Sequence, residues 1–305
     1  MILGKKQHFT REHFEAKKGI APSYLCELVV YCLELVSQLV SHELVFRFKG
    51  GNSLLVLLEN PQRFSIDVDI VTTESKEAMI TLVEKIVADC ELFTRYEVRQ
   101  PKTKPWLPMI SFKLFFKSHY QKDEDAFVML DAVLEPAPYG GIGKQVRCRD
   151  LYESDVKVEV PSVSGLIGDK LLTIGPATLG IPLGKSKEAQ RLKHVFDVAL
   201  LSRQGFDRAE VLASVVGCMA QECRIQQRTC SYEEVVVDTL KFLGEPMSHP
   251  TQPALSAVPE GGYLYEIVKG FDGFRQHLFH IDYTWALLQQ DCASVAEVLR
   301  AIGSP

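Results

Sequence analysis

The sequence predicts an α+β protein in two parts, an N-terminal α/β domain with its own leading helix over residues 1–160 and an all-helical domain over 161–305. Three observations carry this. The stretch VFRFKGGNSLLVLLENPQRFSIDVDIV runs strand, glycine turn, helix, strand. Two apolar runs with strand character follow at 109–120 and 126–135. From Pro161 onward the chain becomes helix after helix, with no return to alternating apolar residues. A length of 305 residues also suits two domains better than one or three.

Taken in order, the segment after Pro22, YLCELVVYCLELVSQLVSHEL, repeats its apolar residues at helical spacing, with Pro22 at a permissible first-turn position. The start of VFRFKGGNSLL reads as a short strand, Gly50-Gly51 as a turn, and a helix begins near Asn52. Asn60-Pro61 breaks the chain before a strand from Phe64 to Val71. Residues 75–92 form an amphipathic helix with Ser75 as N-cap, since Met79, Leu82, Val83, Ile86 and Val87 share one stripe. The runs 109–120 and 126–135, joined by the polar turn QKDED, pair as a hairpin. Helices are then expected at 162–174, 186–204, 207–225, 231–244, 263–279 and 282–302. Ser231 and Glu234 fit a capping box, and the Pro, Ser and Gly residues of 247–262 mark a loop.

Composition excludes some classes. A net charge of -5 argues against a protein that coats nucleic acid electrostatically, although a local basic groove remains allowed. The apolar run from Leu28 to Val40 is broken by Glu34, Ser37 and Gln38 and falls short of the roughly 20 residues a membrane span needs. The N-terminus shows no signal-peptide pattern, so no membrane partner and a cytoplasmic location are expected. The eight cysteines are scattered, without a CxxC pair or zinc-finger spacing, and are expected to be buried reduced thiols. The eight histidines show no ligand spacing such as HExxH, and Trp106 and Trp285 are expected to pack rather than to stack on bases.

The chemistry lies in Gly50-Gly51-Asn52-Ser53 and in the later Arg63-Phe64-Ser65-Ile66-Asp67-Val68-Asp69. Side chains alternate along a strand, so Asp67 and Asp69 share one face while Ile66, Val68 and Ile70 enter the core. Two neighbouring carboxylates repel unless a cation joins them, and hard oxygen ligands on one face suit a magnesium ion that keeps waters and completes its shell with substrate phosphates. Glycines let backbone N–H groups approach such phosphates, and a helix N-terminus adds positive potential. An Asp-x-Asp or a Gly-Gly alone says little. Their order, with both acids inside an apolar strand where an unpaired charge is costly, points to function.

KGGNSL followed by RFSIDVDI resembles the first motif of the AbiEii/AbiGii toxin family of nucleotidyltransferases, GGT-x-L and then R-x-S-x-D-x-D, within the polymerase-β superfamily. The resemblance implies a polymerase-β-like N-terminal domain built on a mixed sheet. It implies that Asp67 and Asp69 hold Mg²⁺ or Mn²⁺, that Gly50, Gly51, Asn52 and Ser53 line the nucleotide pocket, and that Arg63 and Ser65 support that loop. Asn52 stands where the family has Thr.

A third carboxylate on a neighbouring strand is usual in the superfamily. Asp131, in AFVMLDAVLE, is the acid of the expected hairpin with apolar residues on both sides. Farther on, VPSVSGLIGDKLLTI resembles the helix with the family's lysine, mapping it to Lys170, and RLKHVFDVALL resembles its R-D-x-x-D-L helix, mapping the second acid to Asp197. Lys193 and His194 stand where Arg and Asp are usual. Lys170 is then expected at the nucleotide phosphates, with Asp197 orienting it or the acceptor and both contributed to the cleft by the helical domain. The loop Thr173–Pro182 either shapes a pocket or only connects helices.

The function implied is transfer of a nucleoside monophosphate from an NTP to an acceptor hydroxyl, on a tRNA end or a protein, by a toxin of a toxin–antitoxin system with an antitoxin as partner. Transfer of the γ-phosphoryl group is a same-class variant. The alternative of another class is a catalytically silent interaction module of the same fold that binds a partner protein.

Overall fold

The computed structural model describes residues 1–19, 21–99, 106–121, 126–279 and 281–305. All of the expected QKDED turn except Gln121 lies outside the described residues. The chain divides into two compact units, the first made of Met1–Ala137 and Gly141–Pro161 and the second of Pro138–Gly140 and Ser162–Pro305.

The first unit contains helices α1 (Arg11–Ala16), α2 (Ser23–Ser41), α3 (Leu54–Leu57) and α4 (Lys76–Asp89). Its strands are β1 (Phe46–Lys49), β2 (Asp67–Thr72), β3 (Arg95–Arg99), β4 (Met109–Phe116) and β5 (Ala126–Val133), followed by β6 (Gly141–Cys148) and β7 (Tyr152–Pro161). The first five form a mixed sheet in the order β1-β2-β5-β4-β3, parallel between β2 and β5 and antiparallel elsewhere. The expected hairpin is the β4–β5 pair, with Met109 opposite Val133.

Side chains alternate along each strand, leaving the sheet one apolar face and one mixed face. Phe48, Val68, Ile70, Ile110, Phe112, Leu114, Val128, Leu130 and Ala132 are all buried on the apolar face. There Tyr31 of α2 stacks on Phe116 at 3.7 Å between ring centres. The other face carries Lys49, Asp67, Asp69, Asp131, Ser111 and Lys113, which remain partly accessible.

Helix α2 is long and apolar enough by length and composition to cross a bilayer, the one such helix among the described residues. The expectation that this segment falls short is corrected on that point. Thirteen of its nineteen residues are buried in the unit, including Glu34. That carboxylate accepts hydrogen bonds from Leu3 N (2.9 Å), Gly4 N (2.9 Å), Gln38 Nε2 (2.7 Å) and Tyr152 Oη (2.8 Å). With four donors the charge is solvated by protein, as a buried carboxylate must be.

Two strand regions were not expected. β3 is a largely exposed edge strand, and β6 and β7 form a separate two-stranded ribbon with an irregularity between Gln145 and Arg147.

The second unit is helical: α5 (Val163–Leu171), α6 (Glu188–Ser202), α7 (Arg208–Gln226), α8 (Tyr232–Met247), α9 (Tyr263–Arg275) and α10 (Trp285–Ile302). Ser231 and Glu234 form the complete capping box at the start of α8. The core centres on Phe196, Phe271, Phe274, Tyr283 and Trp285, whose rings meet edge-on or tilted at 5.1–6.1 Å, the geometry that aromatic quadrupoles favour. Trp285 therefore packs, as expected. Trp106 is exposed.

Candidate active site

The glycine turn and the acidic strand meet in the first unit. Gly50 has φ +71°, a left-handed conformation that side chains disfavour. A Cβ placed on it would stand 2.0 Å from Asp69 Oδ2. The turn backbone therefore lies directly against the Asp69 carboxylate, and the residue there must be glycine on both counts. A Cβ on Gly51 would meet Arg63 Nη2 at 2.9 Å and Ser65 Oγ at 2.9 Å. The second glycine thus admits the two residues of the R-x-S segment beneath the turn. Arg63 is buried. Ser53 is also buried, and its hydroxyl donates to Gly50 O at 3.0 Å, closing the turn on itself.

Helix α3 is shorter than expected, a single turn that ends where Leu58 becomes extended, at φ -101° and ψ 138°. A dipole that sums over one turn is weak, so the helix contributes little potential here.

Asn52 is fully buried beside the Cys32 thiol of α2, and neither its amide oxygen nor its nitrogen has a well-aligned hydrogen-bond partner. Cys32 itself donates to Ile66 O at 3.0 Å. Burial pushes this thiol well up, and the charges of Asp67 and Asp69 push it further, so the field of both carboxylates reaches the core below the strand.

Asp69 on β2 stands directly opposite Asp131 on the parallel neighbour β5. Asp67 lies two residues earlier on the same face, opposite Met129. Asp67 is exposed, whereas Asp69 and Asp131 are half-buried. On the flanking strands Lys49 is in register with Asp69 and Ser111 with Asp131. In-register neighbours bring Cβ atoms to about 5 Å, which places like charges in direct repulsion and Lys49 in direct attraction. Asp67, Asp69 and Asp131 thus share one face of the sheet, as expected of three converging carboxylates, but only Asp69 and Asp131 are in register. Among the described residues no three His, Cys, Asp or Glu side chains stand together as a ready-made metal centre. Lys113, on the same face, sits 4.1 Å over the ring of Phe127.

Lys170 and Asp197 are brought together within the second unit. Lys170, in the last turn of α5, places Nζ 2.7 Å from Asp197 Oδ2 of α6, and both side chains are buried. Arg191, one turn before the Lys193-His194 pair, is buried as well, where it pairs with Glu266 at 3.4 Å.

Sequence reasoning missed the contribution of Lys49 and Cys32. The alternation in Phe-Arg-Phe-Lys could have placed Lys49 on the acidic face. Nothing in the helical spacing of α2 says which residue lies beneath Asn52.

The sequence pattern of the nucleotidyl transferase AbiEii toxins of type IV toxin–antitoxin systems matches residues 35–266. No curated protein matches the chain in sequence. Among solved structures, the nucleotidyltransferase toxin MenT4 from Mycobacterium tuberculosis is 14% identical with a TM-score of 0.45, over 97% of this chain and 99% of that one. An antigenic nucleotidyltransferase-like protein from Paracoccidioides brasiliensis is 13% identical with a TM-score of 0.40, over 67% of this chain and 95% of its own. The match over 35–266, which spans the glycine turn, the acidic strands and the Lys170–Asp197 helices, shows that this chain belongs to the AbiEii nucleotidyltransferase toxin family.

Proposed function

We propose that this protein is a Mg²⁺-dependent nucleotidyltransferase that moves a nucleoside monophosphate from an NTP to an acceptor hydroxyl, on a tRNA end or a protein, as the toxin of a toxin–antitoxin pair. The observation that carries this reading is the packing of the Gly50 backbone against Asp69, in register with Asp131. Main-chain N–H groups of the turn, donating to a phosphate beside these carboxylates, would make the two halves of a site for a metal–triphosphate.

The residues fit a divalent cation by donor chemistry. Asp67, Asp69 and Asp131 offer hard oxygens from one face of two adjacent strands, and the repulsion between them is relieved by positive charge. These three would hold the ion, which when bound would polarise the phosphates and the attacking oxygen. The Gly50-Gly51 turn holds the triphosphate through main-chain donors. Arg63, Ser65 and Ser53 keep that turn in place from below, and Asn52 fills its buried corner. Lys170 neutralises phosphate charge and Asp197 keeps its ammonium oriented, roles that rest on the family motif and on the 2.7 Å pair. Catalysis of this kind depends on positioning and electrostatic stabilisation more than on covalent chemistry.

Incubation with α-labelled or γ-labelled NTP, Mg²⁺ and either total RNA or protein extract tests the proposal. Label entering an acceptor from the α position alone supports nucleotidyl transfer. Label entering from the γ position alone would replace it with phosphoryl transfer, and no transfer from either would favour the silent binding module.

A further inference from the structure

All eight cysteines are free thiols. Six of them, Cys26, Cys32, Cys90, Cys148, Cys218 and Cys292, are buried at 3% exposure or less. Cys223 and Cys230 are the partly accessible ones, and their sulfurs lie 3.6 Å apart. The chain leaves α7 through Gln227 in the left-handed conformation (φ 53°, ψ 48°), and Arg228 N donates to Cys223 O at 3.0 Å. This reversal is what brings residue 230 back onto residue 223.

The turn so formed supports a second loop. Gln226 Nε2 donates to Leu179 O at 3.1 Å, Arg228 Nη2 to Ala177 O at 3.2 Å, and Arg228 Nη1 to Thr178 O. From α8, which begins immediately after Cys230 and its neighbour Ser231, Asp238 Oδ2 accepts from Ala177 N, Thr178 N and Thr178 Oγ1, each at 2.8 Å. The Thr173–Pro182 loop is therefore held by the end of α7 on one side and by α8 on the other, and the two sulfurs sit where those supports join. The loop itself starts on the helix of Lys170, with Thr173 N and Oγ1 both donating to Lys170 O at 3.1 and 2.7 Å.

We propose that Cys223 and Cys230 are a reversible redox site, forming a disulfide by exchange with a low-molecular-weight disulfide such as glutathione disulfide, and that this bond locks the turn on which the Thr173–Pro182 loop rests. In the first step the Cys223 thiolate attacks one sulfur of glutathione disulfide, forming a mixed disulfide and releasing one glutathione thiolate. The Cys230 sulfur then attacks Cys223, releasing the second glutathione. Two electrons pass from the protein to glutathione, and the two thiol protons end on the released glutathione molecules. Closing the bond needs the sulfurs to approach from 3.6 Å to about 2.05 Å, a change that side-chain rotation at an accessible turn can supply. Burial first and then the neighbouring Cys223 push the Cys230 thiol up to about 11, which keeps its thiolate fraction low, so closure of the bond should speed up as pH rises.

The test uses the full-length protein equilibrated over a range of reduced to oxidised glutathione, then alkylated and measured by intact mass and peptide mapping, with hydrogen exchange followed at the amides of Ala177, Thr178, Gly180 and Ile181. The expected result is loss of two hydrogens mapping to a 223–230 crosslink, reversal by dithiothreitol, and several-fold slower exchange in the oxidised form. Cys223→Ser and Cys230→Ser should each block the crosslink, and Cys230→Ser should stop at a stable glutathione adduct. A persistent glutathione adduct on the wild-type protein, or a crosslink between other cysteines, would overturn the site. A 223–230 crosslink with unchanged exchange at 177–181 would overturn the lock. Neither readout depends on nucleotide chemistry.

Discussion

Replacing Gly50 with alanine adds one methyl group at the point where the glycine turn meets the acidic strand. The backbone there has φ +71°, and the left-handed region costs a side chain about 1–2 kcal/mol. Loss of unfolded-state freedom returns only roughly 0.4–1 kcal/mol, so the conformational terms leave a net cost of up to about 1.5 kcal/mol. The contact decides the outcome. The new carbon would lie 2.0 Å from Asp69 Oδ2, 2.7 Å from its Cγ and 2.8 Å from its Cβ, where an unstrained carbon–oxygen contact is about 3.3 Å. Either the carboxylate or the turn must move by more than ~1 Å. Such overpacking costs about 1–3 kcal/mol and lowers the melting temperature by roughly 3–10 °C. A displacement of that size in a positioning site lowers turnover by about 10²-fold.

The assay pairs thermal melting with NTP-dependent transfer, using Gly143→Ala as the control. A Cβ on Gly143 meets nothing within 4 Å. A Gly50→Ala protein that turns over like the wild type would show that the turn and Asp69 do not act together, and the site as described would be wrong.

Three further outcomes follow from the geometry. Lys170→Ala leaves the buried Asp197 carboxylate without its 2.7 Å partner, which should cost about 3–5 kcal/mol, whereas the double change Lys170→Met with Asp197→Leu should recover most of the stability but none of the transfer; a double variant that transfers normally contradicts the assigned role. Asp131→Asn removes the charge in register with Asp69, so the metal-free protein should melt no lower than wild type while losing the stabilisation that Mg²⁺ provides; equal Mg²⁺-induced shifts in both proteins refute the ligand assignment. His8 is held near 4 by burial first and then by His13 and Lys5, against 6.5 when unfolded. The unfolded chain therefore binds more protons between these values, and the stability that is present above pH 6.5 falls as pH drops toward 4, by up to ~1.4 kcal/mol per unit. Urea midpoints across that window should show a flatter slope in His8→Phe, and an unchanged slope would locate the sensitivity elsewhere.

Much of the fold was legible because local chemistry marks element ends. Ser75 accepts from Ala78 N at 3.1 Å and Ser231 completes a capping box, and the helices begin where those residues stand. Strand β6 was not legible, since GIGKQVRC carries glycines and charges and lacks the apolar alternation that marks a half-buried strand. Strand β7 does alternate, with Val156, Val158 and Val160 between Lys157 and Glu159, but without a legible partner strand that pattern does not mark a ribbon. Edge strand β3 also alternates, with Tyr96 and Val98 between charged residues, but over five mostly exposed residues that run is too short to mark a strand.

At the site, the alternation of Asp67 and Asp69 and the apolar neighbours of Asp131 were visible. Their side-by-side register depends on a parallel pairing between strands some sixty residues apart, Asp69 with Asp131, which no local pattern encodes. The brevity of α3 was hidden by the apolar run Leu54–Leu58, which continues past the point where the backbone leaves the helix. Chain periodicity could not reveal that Cys32 lies under Asn52, because spacing identifies a face and not the residue packed against it.

The central claim is that the Gly50 turn and the Asp69–Asp131 pair form one nucleotide-processing site. Its most direct test is transfer from α-labelled NTP to RNA or protein acceptors in the presence of Mg²⁺, comparing the wild-type protein with Asp67→Asn and Asp69→Asn at matched folding. Labelled acceptor in the wild type and none above background in either variant is the predicted result. Equal labelling by all three proteins, or no labelling by the wild type with any of the four NTPs, would contradict it.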